Sequence, residues 1–304
     1  MRGLANFVMR GTPQAAAVAA GFGVLSFLLP PMVLLSGAAI ALVTLRRGPQ
    51  YGLNLLLVAT VACGMLAWLL VGAPTPGLAL SMVYWAPLLL LGVILRNTVS
   101  LAFTLKMMVL MGFVVLMMTY LLFGNPEIWW TEMTRNMLRQ MNDAGMFPDP
   151  EVAPALAEFF RTWAVLAPGQ LIFSALLAIV LGLLWGRWWQ ALLYNPGGFQ
   201  QEFHNLRLGQ IAAMVMATLL LLSLLLGHSQ PWIVNLTLIA GLIYLLQGLA
   251  IIHGLVGQAG LSTAWLVAFY VALLFILPLW QFLLLFAVAD TWIDVRARLR
   301  PRSN

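Results

Sequence analysis

The sequence predicts an all-α fold, a polytopic integral membrane helix bundle, from its composition and from the length of its apolar segments. Of the 304 residues, 62% are hydrophobic and 8% are charged, whereas soluble globular chains carry about 25% charged residues. The mean hydropathy of +0.97 leaves too few polar side chains to cover a surface that faces water. The composition therefore excludes a soluble enzyme, a nucleic-acid-binding module and a disordered chain.

Nine apolar segments are predicted to be helices. About 20 apolar residues cross the hydrocarbon core, and lipid offers no partner to unpaired backbone groups. The first two segments are short, and Pro30 and Pro31 between them favour a tight hairpin. The segments are residues 14–29, 31–45, 51–72, 77–95, 98–123, 165–190, 209–227, 231–253 and 263–289.

The arginines predict the orientation, because the cytoplasmic flanks of membrane helices keep positive charge. The long loop 125–163 falls on the opposite side from most arginines and holds six of the nine acidic residues. The net charge of +6 therefore indicates topology, and we expect no nucleic-acid partner. If the N-terminus is cytoplasmic, one side of the membrane receives Arg2, Arg10, Arg46, Arg47, Arg96, Arg187 and Arg207.

The arginine-rich tail conflicts with nine complete crossings. Nine crossings would place Arg296, Arg298, Arg300 and Arg302 outside the cell, although arginines favour the cytoplasm. Pro278 in the last segment removes a backbone donor, which predicts a broken or re-entrant helix there. The sequence therefore predicts about 8–9 transmembrane helices, with eight favoured and the tail cytoplasmic.

The extracytoplasmic loop 127–163 is predicted to contain two amphipathic helices. Residues 127–142 place apolar and polar side chains on opposite helical faces, and Asp149-Pro150 is a typical helix start. Such helices lie in the membrane interface or cap a bundle; the alternative is a lid over an outward-facing cavity. The predicted apolar face of the first helix comprises Trp130, Met133, Met137, Leu138 and Met141.

The sequence contains no motif for catalysis or for ATP hydrolysis. It lacks the GxxxxGK[ST] loop, the HExxH helix and the GxSxG elbow. The three histidines and the single cysteine, Cys63, lack the spacing of metal ligands. We therefore expect no enzyme activity, no catalytic residues, no cofactor and no metal site.

Two groups of charged residues near the membrane are candidates for function, because ionisable groups at membrane depth are costly. Lys106 lies eight residues into the fifth segment, where it is either an intramembrane charge or a side chain that extends back to the interface. Asp290 and Asp294 lie one helical turn apart, close before Arg296. These three residues are either a coupling site or an ion-pair cluster at the membrane surface.

The polar stretch 194–209 is the candidate surface for a cytoplasmic partner. Its Asn-Pro-Gly-Gly run predicts a turn, and the apolar residues after that turn recur at helical spacing, which predicts a short interfacial helix. The alternative is that the stretch only closes a helical hairpin. The candidate contact residues are Asn195, Pro196, Gly197, Gly198, Phe199, Glu202, Phe203 and Arg207.

Small and uncharged polar residues give two further sets of candidates. Ala15, Ala16, Ala19 and Ala20 form small-xxx-small pairs, which predict close docking of another helix of this chain or of another subunit. The polar residues within spans predict either interhelical hydrogen bonds or the lining of a pocket for a small neutral ligand. They are Asn54, Gln170, Asn235, Gln247 and Gln281.

Three stretches resemble the YybS-like family of predicted bacterial inner-membrane proteins: NPGGFQQEFHNLRLG, LLQGLAIIHGLVGQAGLSTAW and LLLFAVADTWIDVRARL. The first half more loosely resembles the S components of energy-coupling factor transporters, in its alanine-rich first helix, Pro30-Pro31, and Arg47-Gly48-Pro49 followed by Gly52. The second resemblance implies a ligand-binding protein whose first helix docks on a transmembrane coupling subunit, with separate ATPases. We expect a single transmembrane domain, 1–304. On the second resemblance, residues 1–190 form a six-helix half, and residues 191–304 form additional helices and the arginine-rich tail.

The predicted function is therefore that of an integral protein of the bacterial inner membrane with a transport-related role. It would bind a small ligand and depend on partner subunits for energy, with the lipid bilayer around it and its N-terminus in the cytoplasm. The alternative is a membrane scaffold or assembly factor that binds partners through the 194–209 loop and the C-terminal tail. The sequence does not predict an oligomeric state.

Overall fold

The computed structural model describes residues 1–146, 152–227 and 229–298, and these residues form helices and turns with no strand among them. The predicted helix start at Asp149-Pro150 and the tail arginines Arg300 and Arg302 lie outside the described residues. The helices are α1 Arg2–Arg10, α2 Thr12–Leu25, α3 Met32–Arg47, α4 Pro49–Val71, α5 Thr75–Thr98, α6 Leu101–Phe123, α7 Pro126–Asp143, α8 Val152–Ala164, α9 Ala167–Tyr194, α10 Gly198–His204, α11 Gln210–Leu226, α12 Pro231–Gln258, α13 Ala264–Phe275, α14 Pro278–Ile293 and α15 Val295–Arg298.

Five helices in the described part of the chain are long and apolar enough to cross a membrane, namely α4, α5, α6, α9 and α12. The pair α13 and α14 makes a sixth candidate if it is counted as one broken span. Helices α2 and α11 are apolar but have only 14 and 17 residues. At a rise of 1.5 Å per residue, each is shorter than the helix of about 20 residues that crosses the hydrocarbon core. The all-helical prediction is confirmed, whereas the number of 8–9 crossings stays a prediction.

The predicted break before Pro278 is confirmed. Helices α13 and α14 meet at an angle of 119° across the two residues Ile276 and Leu277. Pro278 is the first residue of α14, where its missing N–H costs no helical hydrogen bond. The Trp280 indole Nε1 donates to the Leu273 carbonyl at 2.8 Å and ties the two helices together across the bend.

The described chain forms two compact units. Unit 1 comprises residues 1–108, 175–209 and 245–298, and unit 2 comprises residues 109–174 and 210–244 without residues 147–151 and 228. Each unit takes residues from both sides of position 190. The predicted division of the chain into 1–190 and 191–304 stays a prediction.

Small residues bring the first helices of unit 1 close together. Ala15, Ala16, Ala19 and Ala20 are all buried, and α2 packs on α3 and α4. The buried Ser36 hydroxyl of α3 donates to the Ala19 carbonyl at 2.7 Å, which is possible because no large side chain separates the two helices. The alanine face therefore serves packing within the chain.

A wider turn in α5 carries two large buried side chains into the core of unit 1. Residues Ser81–Trp85 form one π-helical turn, and Pro87 follows after one residue. Because Pro87 has no N–H, it cannot donate to the Val83 carbonyl, and such interruptions favour a π-turn. Tyr84 and Trp85 are buried from this turn.

The arginines of the first helices converge at one end of unit 1. The Arg47 guanidinium donates to the Met9 carbonyl of α1, and Arg96 Nη1 donates to the Leu45 carbonyl at 2.5 Å. Helix α1 itself was not predicted, because its nine residues contain two arginines and too few apolar side chains for a span. The apolar side that it does have packs inward.

A buried asparagine holds unit 2 together. The Asn235 side chain of α12 accepts from the Gly169 N–H at 3.1 Å and donates to the Val165 carbonyl at 3.0 Å. Its amide also lies 3.4 Å from the Tyr120 hydroxyl of α6. The predicted interhelical role of Asn235 is therefore confirmed, and its amide closes the start of α9, whose first N–H groups lack helical partners.

Replacing Asn235 by leucine is expected to lower the stability of the protein by about 1–2 kcal/mol, because the Gly169 N–H and the Val165 carbonyl lose their partner. The same change at the exposed Asn54 of α4 should leave stability unchanged. The midpoint of thermal unfolding in detergent measures both. Equal midpoints for the two variants would contradict a structural role for Asn235.

The two predicted loop helices are present as α7 and α8, and they pack on each other within unit 2. The buried positions on α7 are Thr134 and Leu138. Met133 and Met137, which belong to the predicted apolar face, are 45% and 42% exposed. Part of that apolar face is therefore left uncovered by the described chain, and the choice between an interfacial helix pair and a lid stays open.

An apolar stripe on α4 remains uncovered in the folded chain. Leu53, Leu57 and Val61 recur every fourth residue and are about half exposed or more, while Ala59 and Cys63 face the protein and are buried. A helix that is apolar on all sides fits a hydrocarbon environment rather than water. The exposed stripe therefore supports contact with lipid.

Candidate functional site

An aromatic cavity in unit 1 is the candidate functional site. Its volume is about 650 Å³, within the range of sites for small molecules. Helix α9 contributes one wall, and α3, α10, α12 and α13 contribute the others. The lining side chains are Leu34, Leu181, Leu184, Trp185, Trp188, Phe199, Gln200, Phe203, His204, His253 and Tyr270.

Ring contacts arrange the wall that α10 contributes. Phe199 and Phe203 lie one helical turn apart and stack with centroids 5.9 Å apart. The Phe203 ring meets the His253 ring of α12 edge to face at 5.9 Å. These contacts fix the two phenylalanines against the cavity, since offset and edge-on ring pairs are favourable. The predicted short helix after the Asn-Pro-Gly-Gly turn thus forms a cavity wall.

A polar group interrupts the apolar lining. The His253 Nε2 lies 2.8 Å from the Tyr270 hydroxyl of α13, within hydrogen-bond distance. The His204 and His253 rings have centroids 6.0 Å apart. The cavity therefore combines apolar walls with two imidazoles and a phenol that can hydrogen-bond a ligand.

Two glycines allow α10 to approach α12 closely. A Cβ atom at Gly254 would lie 3.2 Å from the His204 carbonyl oxygen, and one at Gly257 would lie 3.3 Å from His204 Cε1. Both glycines follow His253 on the same helix. Any larger side chain at these two positions would push the His204 end of α10 away from the cavity.

Burial lowers the pKa of the His204 imidazole below its ordinary value of 6.5. The unfolded chain therefore takes up a proton at a higher pH than the folded chain does, so stability due to the neutral ring is present above about pH 6.5. It is lost as the pH falls through the lower pKa of the folded state. We expect the thermal unfolding midpoint to be lower at pH 5.5 than at pH 7.5, and we expect this decrease to be smaller in the His204→Gln variant. An equal fall in both proteins would contradict a neutral buried His204.

A network of buried polar groups holds the chain that follows α10. The buried Arg296 of α15 donates from Nη1 to the His204 carbonyl at 2.6 Å and from Nη2 to the Leu206 carbonyl at 3.0 Å. Its Nη2 lies 3.5 Å from the Asp290 carboxylate. Burial lowers the pKa of the Arg296 guanidinium, and the Asp290 charge opposes that shift. Arg296 of α15 therefore fixes the backbone beside His204.

Two further side chains complete this network. Gln247 of α12 accepts from the Leu208 N–H and donates to the Ala287 carbonyl, both at 2.8 Å. Arg207 donates two hydrogen bonds to Asp294, at 2.8 and 2.7 Å, which lower the pKa of that carboxyl. The prediction that Gln247 makes an interhelical hydrogen bond is confirmed.

The structure brings together two groups that the sequence kept apart. The stretch 194–209 and the group Asp290, Asp294 and Arg296 meet through the bonds of Arg207 and Arg296. Within the stretch, residues 195–197 are exposed, whereas Phe199 and Phe203 line the cavity. The predicted partner surface and the predicted ion-pair cluster are therefore parts of one local structure.

Lys106 does not belong to this group of residues. It lies half-buried in α6, and no ion pair of its ammonium group is found in the ranges that the structure describes. The choice between an intramembrane charge and a side chain that extends to the interface stays open. Nor does the described part of the chain group three or more histidine, cysteine or acidic side chains around a point where a metal could bind.

The sequence did not predict the cavity. The histidines were considered only as metal ligands, and His204 and His253 are 49 positions apart in the chain. The available signal was the run His253-Gly254 with Gly257, where two small residues beside a histidine indicate close approach of another element.

A family model described as "Predicted membrane protein (DUF2232)" matches residues 17–291. The matched range includes every residue that lines the cavity. No curated protein and no solved structure matches the chain.

Proposed function

The chain belongs to the DUF2232 family of predicted membrane proteins, and we propose that it binds a small, largely apolar ligand as part of a transport-related role. The cavity of about 650 Å³ in unit 1 is the observation that supports this proposal. A concave, mostly aromatic lining with a few polar groups is typical of sites for small molecules.

The lining indicates the chemistry of the ligand. Among the described residues, no aspartate, glutamate, lysine or arginine lines the cavity, and burial favours the neutral form of His204. A charged ligand would therefore lose its hydration without gaining an opposite charge. The expected ligand has an apolar body beside the phenylalanines and tryptophans and a neutral hydrogen-bonding group beside His253 and Tyr270.

Energy for transport would come from partner subunits, because the sequence has no P-loop. In the S components that the first half resembles, the first helix docks on a coupling subunit associated with ATPases. The inward alanines of α2 are occupied by α3 and α4, whereas Ala17 and Gly21 are exposed and four residues apart on the same helix. A coupling subunit that docks on α2 would therefore contact Ala17 and Gly21.

The arginine-rich end of unit 1 is proposed to face the cytoplasm of a bacterial cell, across the inner membrane. Arg47, Arg96 and Arg187 lie at this end together with α1, so the N-terminus would be cytoplasmic as well. The proposal assigns no catalytic step to the chain.

Native mass spectrometry of the protein purified in mild detergent tests ligand binding directly. Wild-type protein is expected to retain a noncovalent small-molecule adduct. Leu184→Trp should lose it, because the larger ring occupies the cavity. The matched control is Leu171→Trp, since Leu171 is exposed on the same helix and does not line the cavity.

The adduct must depend on the cavity for the proposal to hold. If neither wild type nor control retains an adduct, or if Leu184→Trp retains it equally, ligand binding at this site is refuted. Affinity purification in the same detergent tests the energy source, and a coupling subunit with ATPases is the expected partner. Its absence would leave ligand binding but remove the S-component type of transport.

The alternative is a scaffold that binds partners through the 194–209 stretch, and the exposed Asn195–Gly197 turn supports it. Because Phe199 and Phe203 line the cavity, their replacement would disturb both functions and would not distinguish them. Replacing Asn195 and Pro196 by alanine is the better test. Loss of a bound protein without loss of the adduct would favour the scaffold.

A further inference from the structure

A second cavity in unit 1 is lined by three arginines and lies apart from the aromatic cavity. Its volume is about 360 Å³, and no carboxylate of the residues that the structure describes lines it. Arg46 lies in the last turn of α3, Arg96 near the end of α5 and Arg187 near the end of α9. We propose that this arginine cavity binds a phosphate group, carried by an anionic ligand at the membrane surface.

Each guanidinium is held in place by a contact that leaves most of its N–H groups free. The Arg46 guanidinium lies 4.1 Å from the centroid of the Tyr194 ring, and Arg96 Nη1 donates to the Leu45 carbonyl at 2.5 Å. Each arginine carries five N–H donors. Donors that are already oriented bind an oxyanion at a lower entropic cost than mobile side chains do.

Among the described residues, an acidic side chain balances only one of the three charges of the arginine cavity. The carboxylate that pairs with Arg187 is Glu202, at 2.8 Å from its Nε, and Arg187 Nη1 donates to Gln190 at 2.6 Å. Neither Arg46 nor Arg96 has an acidic partner in the part of the chain that the structure describes. Three clustered guanidinium groups repel one another. A phosphate group relieves that repulsion, because its negative oxygens accept bidentate hydrogen bonds from arginine.

The backbone beside the arginines is strained. Val99 lines the cavity and adopts φ 50°, in the left-handed region, which is unfavourable for a β-branched residue. Its side chain is 76% exposed, so burial does not compensate for the strain. Backbone strain of this kind concentrates at ligand sites, and Val99 lines the arginine cavity together with Arg96 and Asn97.

The position of the arginine cavity matches where phosphate groups are found in a membrane. Helices α5 and α9 are candidate spans, and Arg96 and Arg187 lie towards their C-terminal ends, where the hydrocarbon core gives way to lipid head groups. Basic cavities between such helices bind anionic head groups. A soluble phosphate compound offers the same chemistry, so the two sources need separate probes.

Thermal unfolding of the purified full-length protein in detergent distinguishes these sources. The probes are dihexanoyl phosphatidylglycerol, dihexanoyl phosphatidylcholine, and inorganic phosphate against chloride of equal ionic strength. We expect phosphatidylglycerol to raise the unfolding midpoint at lower concentration than phosphatidylcholine. Stabilisation by phosphatidylglycerol alone supports a lipid head group, and stabilisation by inorganic phosphate as well supports a soluble phosphate ligand.

The variants connect the response to the arginines. Arg96→Gln and Arg46→Gln should each weaken the apparent affinity for the stabilising probe about fivefold, and Arg96→Lys should weaken it less. Arg10→Gln, on the exposed face of α1, should respond as wild type does. The proposal is overturned if no probe stabilises the wild type beyond phosphatidylcholine, or if both glutamine variants respond like the wild type.

Discussion

Replacing Arg296 by alanine is expected to destabilise the folded protein by about 3–5 kcal/mol, the cost of removing one partner of a buried ion pair. The change leaves the buried Asp290 carboxylate without its cation and removes the donors to the His204 and Leu206 carbonyls. His204 is the last residue of α10, and Leu206 follows it. Loss of these hydrogen bonds should therefore also loosen the cavity wall that α10 forms. Thermal unfolding in detergent measures the first effect, and loss of the bound adduct in native mass spectrometry measures the second.

Two variants control for the loss of charge and of surface contacts. Arg298→Ala removes an exposed arginine from the same short helix and should change stability by less than about 0.5 kcal/mol. The double variant with Asp290→Ala should be less destabilised than Arg296→Ala alone, since no buried charge is left unpaired. If the double variant loses the sum of both single effects, the ion pair does not act as a unit.

Replacing Gly182 by alanine is expected to destabilise unit 1 by about 1–3 kcal/mol, because the added methyl group overpacks the core. The new Cβ would overlap the Tyr84 hydroxyl and lie 3.0 Å from Leu88 Cδ1. Tyr84 is buried, and its hydroxyl has no hydrogen-bond partner in the described structure. Tyr84→Phe alone should therefore cost little, and it should restore most of the stability lost in Gly182→Ala.

Gly37 provides the matched comparison. A Cβ at Gly37 would lie 2.7 Å from Tyr84 Cζ as well as overlapping the hydroxyl, so removing the hydroxyl does not clear enough space. Tyr84→Phe should therefore rescue Gly182→Ala but not Gly37→Ala. Unfolding midpoints of the three single and two double variants give the answer, and equal rescue of both glycine variants would contradict this packing.

Local sequence patterns predicted the helices, because apolar periodicity and proline are local signals. The break at Pro278 and the first loop helix lie where the sequence placed them, and the boundaries of the apolar helices agree within a few residues. The second loop helix is present from Val152, and its predicted start lies outside the described residues. Helix α1 was missed because burial of Ala5 and Val8, rather than length or hydropathy, stabilises it. It packs on α2, which follows it directly, and on the more distant α3.

The site required contacts between distant segments, which no local pattern contains. Phe199 and Phe203 were recognised as one helical face, but the same pattern fits a surface for a partner and the wall of a cavity. Only the approach of α10 to Gly254 and Gly257 distinguishes them. Arg296 was likewise recognised as a charged residue near the membrane surface, whereas its burial depends on carbonyls 90 and 92 positions away.

An electron cryomicroscopy map of the full-length protein in lipid nanodiscs tests the central claim, ligand binding in the aromatic cavity, most directly. The map is expected to show the cavity open beside Phe203, with non-protein density that reaches His253 and Tyr270 in the wild type and is absent in Leu184→Trp. A map in which the wild-type side chains close together and leave no space between α9 and α10 would contradict the claim.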